Sequence, residues 1–303
     1  MTATRSAHLT SFRGEPAVTL AAGELEATFL PSLSMLGVSL RHRGDELLAP
    51  VKALARYRAG RVTGIPFLYP WANRLGAWRY EAAGRHVDVA PDVPVDRNGL
   101  PMHGTVASLP FEVVRLVGGR LTAALDSTEY ERITTSFPFP HVVELDVLLD
   151  DGTLTIATTV RATGPVAVPI SFGFHPYFRL PGAPRRSWRF RLPPRGHLAL
   201  DDRQLPTGEL TGEPAQDEPI ASHTFDDHYR LGDDRRFEVE AGDRKLIVTF
   251  DQGFEYAQLY APPRAGFVCI EPMTAPVNAL VDGTAPMVQP GGLYRAAWQV
   301  SVT

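Results

Sequence analysis

Cysteine is almost absent from this chain: Cys269 is the one such residue in 303. That excludes a disulfide framework within the chain and a zinc site built on paired cysteines. Long apolar runs are also missing. No stretch approaches the ~18 residues of a membrane-spanning helix. Met1 to Leu20 contains no apolar segment of leader length. A cytoplasmic protein with no membrane partner is the expectation. Positive charge is not in excess either. Thirty Lys and Arg stand against 34 Asp and Glu, for a net charge of -4, so nucleic acid is not an expected partner. Neighbouring arginines occur as Arg185-Arg186 and Arg235-Arg236, in polar stretches that read as solvated loops. Long helices are excluded in turn, because 27 prolines and 26 glycines punctuate the chain too often.

The remaining composition is ordinary for a globular protein, with 44% hydrophobic and 21% charged residues. The length is enough for a sizeable core. Residues 1–303 read as one domain, since β-sandwiches often run this long as a unit. Apolar and polar residues alternate with the period of strands. Val142–Leu149 and Leu154–Val160 flank the turn Asp150-Asp151-Gly152 as a hairpin, the second arm rich in β-branched residues. Ala17–Leu20 leads into Leu25–Leu30. Trp188, Phe190 and Leu192 alternate with Arg189 and Arg191. Phe237–Glu240 and Lys245–Phe250 flank Ala241-Gly242-Asp243. Tyr256, Gln258 and Tyr260 alternate with Ala257 and Leu259, and Arg295–Val302 reads as a closing strand. The fold class is therefore all-β, a large antiparallel β-sandwich. The polar stretch Leu200–Ile220 reads as a surface excursion. Cys269 lies in the apolar run Gly266–Ile270 and reads as a buried small side chain.

Chemistry concentrates in five short segments. Ser171-Phe172-Gly173-Phe174-His175-Pro176-Tyr177-Phe178 places a histidine among aromatic rings. Histidine exchanges protons near neutral pH, and aromatic faces suit a compact ligand such as a sugar ring. Pro101-Met102-His103-Gly104 holds a second histidine, and Cys269-Ile270-Glu271-Pro272-Met273-Thr274 a glutamate. Gly64 to Leu75 ends in Trp71-Ala72-Asn73-Arg74, whose guanidinium fork suits hydroxyls or carboxylates. Thr224-Phe225-Asp226-Asp227-His228-Tyr229 offers two adjacent carboxylates, which accept hydrogen bonds from a ligand or cap a turn. Two histidines and a glutamate together suit acid–base catalysis. A metal site of His103, His175 and Glu271, a carboxylate pair of Asp226 and Glu271 for glycoside cleavage, and a catalytically silent sugar binder are the alternatives.

Asn73-Arg74, His103-Gly104, His175-Pro176-Tyr177-Phe178, Phe225-Asp226 and Glu271-Pro272-Met273-Thr274 occur in the order found in the aldose 1-epimerase (galactose mutarotase-like) family, which this chain resembles from about Gly64 to Trp298. The resemblance implies the family's supersandwich fold and an isomerase that interconverts the α and β anomers of a free sugar. It implies Glu271 as general base on the anomeric hydroxyl and His175 as general acid on the ring oxygen. His103 would bind and polarise the sugar, with Asn73, Arg74 and Asp226 as substrate-binding residues. Asp226 is chosen over Asp227 because it directly follows Phe225. No cofactor or metal is implied. A carboxylate beside His175 is expected to raise that histidine's pKa. Tyr177, Phe178 and Trp71 are candidates for stacking on the sugar. Arg179, next after the aromatic segment, is placed to meet an anionic substituent.

Overall fold

The computed structural model describes residues 5–51, 53–221 and 223–303. The first four residues of the stretch judged for a leader lie outside the described residues. The architecture is the expected antiparallel one. Among the described residues the two α-helices, Leu54–Arg58 and Glu131–Thr134, are each about one turn long. No helix among them is long and apolar enough to cross a membrane.

Two large sheets dominate. One has nine strands, in the spatial order Gln216–Pro219, Arg189–Leu192, Arg236–Ala241, Arg244–Phe250, Leu293–Val302, Thr153–Ala162, His141–Asp150, Arg120–Asp126 and Glu112–Val117. The other has eight, running from Pro206–Glu213 through Arg195–Leu200, Phe225–Leu231, Tyr256–Ala261 and Val268–Met273 to Gly173–Phe174 and Phe67–Leu68, with Tyr177–Phe178 also paired to Val268–Met273. A five-stranded meander, Arg5 to Glu46, forms a further sheet.

The hairpins read from alternation are present in the expected places. His141–Asp150 pairs with Thr153–Ala162 across Asp151-Gly152, with Leu154, Ile156 and Val160 buried. Arg236–Ala241 pairs with Arg244–Phe250, and Glu15–Ala22 with Leu25–Leu30. Trp188, Phe190 and Leu192 turn inward. The sheets pack face to face through rings. Phe174 meets Trp298 at 5.4 Å between centroids, and Phe225 meets Phe190 at 5.7 Å. Phe174, Phe190 and Trp298 are buried and Phe225 half-buried; a fully buried ring contributes about 1.5–3 kcal/mol.

Two readings are corrected. Leu200–Ile220 lies on the surface but is largely strand, since Pro206–Glu213 and Gln216–Pro219 form an edge of each large sheet. Edge strands wetted on both faces carry no apolar alternation, so the period-2 signal is missing. Of the arginine pairs, Arg186 is exposed as expected, but the other three are engaged. Arg185 donates to the carbonyls of Ala221, His223 and Ala261. Arg235 grips both carboxylate oxygens of Glu255, and Arg236 pairs with Glu238.

Candidate active site

Strand geometry builds the site's floor. Glu271 sits opposite Gln258, and Tyr260 opposite both Cys269 and Asp226, in three adjacent strands. Side chains two apart point the same way. One face therefore carries Asp226, Gln258, Tyr260 and Glu271, while Ala257 and Leu259 enter the core. The strand Val268–Met273 is buried throughout.

The walls come from three irregular segments. Gly173 lies so close to the floor that an added Cβ would stand 2.5 Å from the Pro272 carbonyl. That approach sets His175 beside Glu271. Opposite, Asn73 and His103 both adopt left-handed backbone, with φ of 57° and 64°. Their backbones are joined by His103 N–H donating to the Asn73 carbonyl at 2.8 Å. Gly104 follows with φ 73°, and a Cβ there would lie 2.0 Å from the Tyr69 oxygen. Left-handed non-glycine residues cost on the order of 1 kcal/mol or more and gather where side chains must be aimed. Here they aim Asn73 and His103 inward.

Asn73, Arg74, His103, His175, Asp226 and Glu271 thus line one cleft of about 360 Å³. All but Asp226 are buried or nearly so. His175 Nε2 stands 3.2 Å from Glu271 Oε1, yet the contact is not aligned as a hydrogen bond and leaves Glu271 Oε1 without one. The imidazole ring stacks on Tyr177 with centroids 4.5 Å apart and planes 5° apart. The His103 ring meets it edge-on at 5.7 Å. Nδ1 of both histidines and Oδ1 of Asn73 are buried without partners. Buried polar atoms are rarely left so, and this many in one cleft mark it as built for an incoming polar molecule.

Burial controls the electrostatics. It pushes the Glu271 carboxyl well above the usual carboxylate range; Asp226 adds to the effect and Arg74 opposes it. It pushes His175 down to about 3. His103 falls well below the ordinary histidine value, through burial first and then the nearby His175 and Arg74. The expected rise in the His175 pKa is therefore overturned. A carboxyl that is itself driven toward neutrality supplies little charge to hold a proton on the ring, and desolvation of the imidazolium wins.

Asp226 lines the cleft, whereas Asp227 on the opposite strand face lies 3.4 Å from His197. Of the proposed stacking rings, Tyr177 lines the cleft, while Trp71 and Phe178 are core. Adjacent residues of a strand point oppositely, so Tyr177 and Phe178 cannot both face a ligand. Several lining residues were missed. Asp96 receives Arg74 Nε at 2.9 Å and fixes the guanidinium. Gln258 donates to Asp226 at 3.0 Å. Tyr260 and Gln204 complete the wall. Gln258 and Tyr260 did carry a signal, as polar positions alternating with Ala257 and Leu259. Nothing in the sequence ties Asp96 to Arg74.

The cluster with metal-ligand spacing among the described residues is His175, Cys269 and Glu271, with ligand atoms within 4.8 Å of one another, rather than the set with His103. Burial, and then the neighbouring Glu271, raise the Cys269 pKa well above normal, which keeps it a thiol in the metal-free protein.

Residues 36–301 match the aldose 1-epimerase family. The uncharacterized protein YihR of Escherichia coli K12 is 25% identical over 280 residues, spanning 88% of this chain and 86% of YihR. A galactose mutarotase-like protein from Clostridium acetobutylicum superposes with a TM-score of 0.86 at 18% identity, covering 99% of each chain. Galactose 1-epimerase from Lactobacillus acidophilus NCFM superposes at 0.78 with 10% identity, again over 99% of each. At such identities, the structural likeness speaks for the fold.

Proposed function

The chain belongs to the aldose 1-epimerase family, and we propose that it acts as a mutarotase on a free aldose. The observation that carries this reading is the buried His175–Glu271 pair, 3.2 Å apart in a polar cleft. Glu271 removes the proton from the anomeric hydroxyl. The bond between the anomeric carbon and the ring oxygen breaks, its electron pair goes to the ring oxygen, and His175 protonates that oxygen. The first carbon becomes an aldehyde, rotates, and is attacked from its other face by the same hydroxyl. The two protons then return along the same routes. Each proton-transfer group contributes roughly 100- to 10,000-fold.

The reaction leaves the proton count of the pair unchanged, so one proton shared by Glu271 and His175 is the working state. Ring opening moves it from the imidazole to the carboxyl. Burial already favours that second arrangement, neutral His175 and protonated Glu271. The open-chain sugar thus meets the protonation pattern the cleft prefers. His103, kept neutral by burial, donates or accepts a hydrogen bond without adding charge. Arg74, clamped by Asp96, and Asp226, held by Gln258, are set to take ring hydroxyls.

Polarimetry of freshly dissolved α-D-glucose and α-D-galactose, with the wild type beside Glu271→Gln, tests this. Faster equilibration by the wild type alone is expected. Equal acceleration by both removes Glu271 from its role. Sugar binding with no acceleration would make the protein a silent binder.

A further inference from the structure

A second cleft, about 640 Å³, opens on the far side of Tyr177 and shares Arg61, Val62 and Tyr177 with the first. Its charged lining is entirely basic: Arg56, Arg61 and Arg179, with no Asp or Glu. Arg56 and Arg61 are exposed, and no acidic side chain lies within ion-pair reach of either among the described residues. Arg179 is half-buried and donates to the Glu46 carbonyl at 3.1 Å. The Glu46 carboxylate faces Ser39, the N–H groups of Leu40 and Leu48, and Arg41 at 3.6 Å, and no carboxylate lies within ion-pair reach of Arg179 among the described residues.

This concentration of positive charge runs against the protein as a whole, whose net charge is -4. Such local excess steers and holds anions. In the first cleft, by contrast, Arg74 is answered by Asp96 and suits neutral hydroxyls. The two clefts meet at Tyr177, whose ring stacks on His175 and meets Phe267 of the second cleft at 5.0 Å.

We propose that the cleft beyond Tyr177 is an anion subsite, and that the preferred aldose carries an acidic group which reaches Arg61 and Arg179 while its anomeric carbon lies at His175 and Glu271. This rests on the mutarotase reading of the first cleft. Carboxylate, phosphate and sulfonate oxygens share the geometry that a guanidinium fork recognises.

The experiment compares anomer exchange of D-galacturonate and D-glucose 6-phosphate with that of D-galactose and lactose, for the wild type, Arg61→Gln and Arg179→Gln. The same four sugars are titrated by calorimetry. At low salt, kcat/KM for an acidic sugar exceeds that for galactose at least about tenfold, as one charge-assisted contact allows. About 0.5 M NaCl screens the advantage away. Either arginine variant cuts the acidic-to-neutral ratio by roughly 10- to 100-fold. Whether carboxylate or phosphate is preferred separates the two kinds of acidic sugar. Turnover of galactose or lactose with no preference for acid, or a ratio unmoved by both variants, overturns the subsite and leaves the mutarotase reading intact. If no sugar is turned over, the mutarotase reading fails. Calorimetry then decides the subsite: salt-sensitive binding of an acidic sugar, weakened in Arg179→Gln, supports it, and no such binding overturns it.

Discussion

His141 and His175 are both buried, both lie among aromatic rings, and both are driven below the normal histidine pKa, to about 4 and about 3. Their surroundings differ in one respect. His141 has a partner for each ring nitrogen, the Tyr69 hydroxyl at 2.6 Å and the Phe139 carbonyl at 2.5 Å. His175 has an unpartnered Nδ1, and beside Nε2 only a misaligned Glu271 and the Tyr177 hydroxyl at a long 3.5 Å. A shifted pKa alone does not separate a structural histidine from a working one. Between these two, polar satisfaction differs: the His141 site is closed, whereas the His175 ring lies in a cleft with Nδ1 open to an incoming partner.

The largest effect that sharpens this contrast is on rate. Glu271→Gln keeps the shape of the site but removes the proposed base, and mutarotation measured by polarimetry is expected to fall about 100- to 10,000-fold. Next comes stability at the closed site. His141→Leu leaves the Tyr69 hydroxyl and the Phe139 carbonyl buried without a partner, which costs about 2–4 kcal/mol in urea unfolding. The rate per folded molecule should survive. Equal stability of this variant and the wild type would break the comparison.

A smaller effect has the opposite sign. Glu271 has a folded pKa raised above its unfolded value, so it binds a proton more tightly when folded. Its contribution is fully present below the unfolded value of ~4.3 and is lost as pH rises through the folded pKa. Glu271→Gln mimics the protonated form. The melting temperature at pH 7 should therefore rise by a few °C, roughly 2–4 °C per kcal/mol, and the gain should shrink toward pH 4. A variant that melts lower than the wild type at pH 7 would contradict it.

The smallest effect expected is a flat one. With His175 lowered to about 3, its imidazole takes up no proton in the range in which an ordinary histidine titrates, and the raised Glu271 holds its proton to higher pH than a usual carboxyl. The pair takes a second proton only near the lower value and loses its last only near the higher one. The value of kcat/KM should hold between pH 7 and pH 5. A fall with its midpoint near ~6.5 would show that an ordinary, exposed histidine controls the rate.

Much of this was legible in the sequence, for a physical reason. Strands with one face in the core write their period into the chain, as Leu154, Ile156 and Val160 do, and tight turns require Gly and Asp. The six site residues gather in one cleft because each sits in a constrained local segment. What escaped has no local signature. Edge strands such as Pro206–Glu213 are exposed along most of their length. The alternation of Tyr256, Gln258 and Tyr260 with Ala257 and Leu259 marks a two-faced strand, but nothing local tells a cleft floor from a solvated face. Asp96 reaches Arg74 through a loop, and the burial that inverts the His175 pKa belongs to the assembled fold.

The most direct test is the anomer exchange rate of His175→Gln beside that of His141→Gln, measured by NMR at pH 7 together with each melting temperature. His175→Gln should lose at least about 100-fold in rate and keep its stability. His141→Gln should lose stability and keep its rate per folded molecule. If His175→Gln exchanges anomers as fast as the wild type, the open histidine is not the acid, and the account of the site is wrong.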